Sequence, residues 1–70
     1  MLEVTAPQAA AIIDVSLPTI HRKVEAGLLA ARQQGTGERR FVYVEIEALR
    51  EFAAEYGYRF DEALANKYSE

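Results

Sequence analysis

Two helix-start signatures stand close together near the beginning of the chain, at Thr5-Ala6-Pro7-Gln8 and at Ser16-Leu17-Pro18-Thr19. In each, a hydroxyl side chain can accept a hydrogen bond from first-turn amides, and a proline follows where its missing N–H costs nothing. Gln8 stands where it completes a capping box with Thr5. Behind the first signature Ala9, Ile12 and Ile13 recur at helical spacing, and behind the second Leu17, Ile20 and Val24 do the same. Gly27 falls where a left-handed residue closes the second helix. Only Asp14-Val15 separates the pair, so the chain turns sharply between them. Two short helices joined this tightly read as helix-turn-helix.

The rest of the order follows from turn and strand signals. Leu28 and Leu29 lead into an extended segment, Ala30 to Gln34, and Gly35-Thr36-Gly37 marks a turn. Arg40-Phe41-Val42-Tyr43-Val44 is rich in strand formers on alternating faces, which predicts a β-hairpin with a basic tip. A third helix is expected from about Glu45 to Tyr56, burying Ile46, Leu49, Phe52 or Ala53, and Tyr56. Its outer stripe is Glu47, Glu51 and Glu55, and Gly57 ends it. Asp61 caps a last short helix through Leu64 to Tyr68. The fold class is α+β and mostly helical: a winged helix-turn-helix with a two-stranded wing, a third helix and a short C-terminal helix.

With 70 residues, half of them apolar, the chain makes one small domain, 1–70, with little room for a catalytic pocket. It has no cysteine and one histidine, His21, which removes thiolate and multi-histidine metal chemistry and leaves no cofactor to expect. Neither a spanning apolar run nor a basic-then-apolar leader is evident, so the expected location is cytoplasmic, with no membrane partner. The net charge of −3 argues against a nucleic-acid partner, but its distribution argues the other way. Between Thr19 and Val42 lie Arg22, Lys23, Arg32, Arg39 and Arg40 against only Glu25 and Glu38, whereas Phe41 to Glu70 is acidic.

These segments resemble the MerR-like and excisionase-like winged-helix family over roughly Leu2 to Phe52. The resemblance rests on Val4-Thr5-Ala6-Pro7-Gln8-Ala9-Ala10, Val15-Ser16-Leu17-Pro18-Thr19-Ile20-His21-Arg22, Gly27-Leu28-Leu29 with Arg32, and Arg39-Arg40-Phe41. The chain departs from the pattern at Asp14, where the family usually has glycine, and at Gln8, where glutamate is frequent. It also lacks the long dimerisation helix and effector domain of MerR regulators proper, so no small-molecule ligand is expected. The resemblance implies binding to double-stranded DNA by a small regulator or an architectural, excisionase-type factor.

In that arrangement helix 17–26 enters the major groove and wing 35–40 lies on the backbone or in the minor groove. Arg22 is placed to meet phosphate or guanine, and His21 a base edge or phosphate. Leu17 and Pro18 offer apolar contact alone. Ser16 reads first as a cap beside a helix end that favours phosphate, and Thr19 as a back-bonding or phosphate-contacting hydroxyl. Arg39 and Arg40 alternate across the strand, so one of them meets DNA. The aromatics Phe52, Tyr56, Tyr58, Phe60 and Tyr68 have two readings: packing over an open core, or self-association through 57–70. No carboxylates pair in a way that suggests an enzyme. The rival to DNA binding is a winged-helix module that docks proteins instead.

Overall fold

The structure, a computed structural model, describes residues 2–35 and 41–69. In chain order it contains β1 (Glu3–Thr5), α1 (Ala6–Ile13), α2 (Leu17–Glu25), β2 (Arg32–Gln34), β3 (Phe41–Glu45), α3 (Ile46–Tyr56) and α4 (Glu62–Tyr68). The strands form an antiparallel sheet in the order β1-β3-β2. This is the winged helix-turn-helix the sequence predicts, with one addition.

The addition is β1. Val4 pairs with Val44 and both are buried, so β3 is flanked on both sides rather than forming half of a two-stranded wing. Three residues are too few to show alternation, and Thr5, which ends β1, is also the cap of α1. There the capping box closes: the Thr5 N–H donates to Gln8 Oε1 at 2.9 Å and the Gln8 N–H to Thr5 Oγ1 at 3.3 Å. Asp14 turns the chain out of α1 in the left-handed region (φ 59°), and the Val15 N–H reaches back to the Ala10 carbonyl. Glycine takes that conformation without strain; aspartate is among the few other residues that tolerate it.

The helices meet over one apolar core. Ala9, Ile12 and Ile13 of α1, Ile20 of α2, Leu29, and Ile46, Leu49, Phe52 and Ala53 of α3 are buried with Val4 and Val44. Phe52 and Ala53 are therefore both core residues. Tyr56 is not: it is 47% exposed, against the expectation of burial. The inward stripe of α3 is filled one turn earlier, and the Tyr56 ring meets that of Phe52 at a tilt, with 4.8 Å between ring centres. Asp61 caps α4 by accepting from the Leu64 N–H, while its own N–H bonds the Ile12 carbonyl at 2.9 Å. Ala65 then buries against the core, and Tyr58 stacks on Phe52 at 5.5 Å.

Candidate nucleic-acid interface

Burial of Ile20, with Val24 half-buried beside it, fixes which way α2 faces. Ser16, Leu17, Pro18, His21 and Arg22 are exposed and Thr19 is half-buried. Ser16 caps the helix. Its Oγ accepts from the Thr19 N–H at 3.3 Å and lies 2.8 Å from the Thr19 hydroxyl, so one hydroxyl donates to the other. Pro18 has no N–H to offer.

The exposed residues form two adjoining strips, each spaced by one helical turn. Leu17 and His21 face the first turn of α1 and the start of β3. With Thr5, Ala6, Pro7, Phe41 and Val42 they line a cleft of about 220 Å³. His21 also borders a cleft of about 170 Å³ with Val24, Glu25, Gln33 and Val42, so it stands between α2 and the wing strands. Pro18 and Arg22 form the second strip. Arg39 and Arg40 lie outside the described residues; the adjacent described strand pair is Gln34 with Phe41.

Not every base counted from the sequence is free to meet a ligand. Arg32 of β2 reaches across β3 to Glu3 of β1, donating Nε to Oε2 at 3.2 Å and Nη2 to Oε1 at 3.0 Å. Its guanidinium lies 4.7 Å from the Tyr43 ring centre and also donates to Gln34. The Arg32 hydrogen bonds hold the Glu3 carboxyl below its ordinary pKa, and the pairing raises that of Arg32. Arg50 is engaged in the same way by Glu62 and Glu47, over the Phe60 ring. Arg22 and Lys23, by contrast, pair with no carboxylate among the described residues.

A family model described as a helix-turn-helix domain matches residues 3–57. The chain belongs to that family. The matched span runs from β1 through α3, and α4 lies beyond it. A search of curated proteins and a search of solved structures each found no match. Membership in this excisionase-like helix-turn-helix family supports DNA binding in general. Among the described residues, no helix is long and apolar enough to cross a membrane.

Pro7 and Phe41 border the cleft beside Leu17 and His21, a placement the sequence reading did not make. Phe41 is 56% exposed, and the signal was available: Phe41, Tyr43 and Glu45 alternate with the inward Val42 and Val44.

Proposed function

We propose that this helix-turn-helix domain binds double-stranded DNA, with α2 in the major groove and the wing, residues 35–40, on the backbone or in the minor groove. It acts as a small transcriptional regulator or as an architectural, excisionase-type factor. The observation that carries this reading is the exposed face of α2, where Arg22 is free of any described carboxylate on a helix anchored by Ile20. Arg22 meets phosphate or a guanine edge; His21, at the seam with the wing, donates to a base edge or phosphate. Ser16 and Thr19 hold the helix end in register against the backbone, and Leu17 and Pro18 contact the groove through apolar atoms. Arg39 and Arg40 supply the wing charge.

Apolar contacts and two donors give one copy modest selectivity, since a good bidentate pair contributes about 1–3 kcal/mol. Copies bound side by side, or paired through the outer surface of 57–70 with exposed Tyr56, supply the remainder.

A second reading, docking to a protein, is favoured by the net charge of −3 and by exposed Leu17, Leu28 and Phe41. Binding to a random-sequence duplex, titrated with salt, separates the two. The DNA reading expects affinity that falls steeply between about 50 and 200 mM salt as counterions compete for phosphate. Absence of binding at low salt leaves the protein-docking module.

A further inference from the structure

β2 is the least anchored strand of the sheet. It is three residues long, pairs with β3 alone, and all three of its residues are exposed, so no side chain of β2 enters the core. Its inward residue is Gln33, which stands opposite Val42 and lines the cleft of about 170 Å³ with His21, Val24 and Glu25 of α2. The position of β2 therefore sets where the wing side of that cleft stands relative to the exposed face of α2. So short an edge strand has little pairing of its own to hold it there.

Arg32 supplies that hold from the opposite face of the sheet. Its side chain crosses β3 over the Tyr43 ring, and all three guanidinium nitrogens donate within the sheet: Nε and Nη2 to the two Glu3 carboxylate oxygens, Nη1 to Gln34 Oε1. The two outer strands, which are not neighbours in the order β1-β3-β2, are thereby tied together. An isolated exposed ion pair contributes little; a bidentate arginine–carboxylate fork with further partners is the exception. Glu3 also stands directly opposite Glu45 in register, where like charges repel, so the arginine offsets a cost built into the β1–β3 pair.

We infer that Arg32 is a positioning residue for DNA binding: by clamping β2 across β3 to Glu3, it holds Gln33, and residues 35–40 that follow β2 in the chain, in place beside α2. The inference rests on the DNA-binding reading above and divides the basic residues into those that meet DNA and one that does not. Arg32 touches no phosphate in this arrangement, because its donors are already in use. Glu3, an acid, becomes a residue on which DNA binding depends. Charge alone predicts the opposite. Removing a glutamate from a chain of net charge −3 should strengthen its hold on phosphate, and exchanging arginine for lysine at constant charge should change nothing. The clamp distinguishes the two cations, since a lysine ammonium is a point charge and cannot reproduce the planar fork.

The test uses the full chain, a random-sequence duplex at one low salt concentration, and the variants Glu3→Ala and Arg32→Lys. Thermal melts show that each is folded, and binding is measured well below the melting transition, where a change in stability alone does not alter affinity. Amide hydrogen exchange of β2 is followed in the free proteins. The expected result is binding about threefold weaker in both variants, with β2 amides exchanging about threefold faster, the scale of one exposed charge pair. Glu3→Ala binding as tightly as the parent, or more tightly, overturns this inference. Weakening in Arg32→Lys with none in Glu3→Ala also overturns it, because Arg32 then meets DNA directly. So does β2 exchange unchanged in both variants, because the strand is then held without the pair. Failure of the parent to bind duplex at low salt overturns the DNA reading and this inference with it.

Discussion

Ile20 and Arg22 stand two positions apart on the same helix and carry opposite duties. Ile20 is wholly buried, so Ile20→Ala should cost roughly 2–5 kcal/mol, as large-to-small core changes do. In a domain this small that is a large part of the total stability. A thermal melt within a degree or two of the parent would mean that the register of α2 is wrong. Asp14 makes a different residue-scale case. Its left-handed backbone tolerates aspartate and prefers glycine, so Asp14→Val should destabilise by about 1–2 kcal/mol and Asp14→Gly should not. Equal melting temperatures for the two variants would contradict the strain argument. The sequence alone marks Asp14 as a departure from the family pattern. The strain that makes it matter is a dihedral angle, which no residue type states.

At the scale of elements, the parts legible in the sequence were those governed by neighbours. Caps at Thr5, Ser16 and Asp61, the closing glycines Gly27 and Gly57, and the apolar stripes of α1 and α3 all act within a turn or two of helix. What was not legible depends on distant partners. β1 exists because β3 offers Val44 as a neighbour to Val4, and Arg32 is neutralised by a glutamate 29 positions away. Tyr56 was misplaced because the capacity of the core, not helical spacing, decides which turn of α3 is the last to be buried.

The same long-range pairs give a pH prediction. Glu3 and Glu62 have their pKa values lowered chiefly by hydrogen bonds from Arg32 and Arg50. Their contribution is complete above the ordinary glutamate range, near about 4.3, and is lost as pH falls through the lowered values. Melting temperature should therefore be insensitive to these pairs between about pH 5 and 8 and fall below that range. Glu62→Gln should flatten the acid-side fall, and an unchanged profile would contradict the pairing. The element α4, outside the family match, covers part of the core through Ala65 and ties down Ile12 through the Asp61 N–H. Truncation after Gly57 should thus lower the melting temperature. If melting is unchanged and only binding to multiple half-sites is lost, α4 serves association rather than packing.

For the molecule as a whole, net charge is a poor guide to partner because charge is sorted in space. Arg32 and Arg50 are tied up in internal pairs and Glu47, Glu51 and Glu55 lie exposed on α3, while α2 keeps Arg22 and Lys23 free of described carboxylates. The account's central claim is that this face of α2 docks on a duplex. It is tested most directly by the salt dependence of binding to a random-sequence duplex, measured for the parent and for Arg22→Ala. An exposed arginine contacting phosphate should contribute about one unit to the slope of log affinity against log salt. Arg22→Ala should weaken binding by about 1–3 kcal/mol, lessen the slope by about one, and leave the melting temperature unchanged. A folded Arg22→Ala protein with the parent's affinity and slope would remove α2 from the interface and contradict the account.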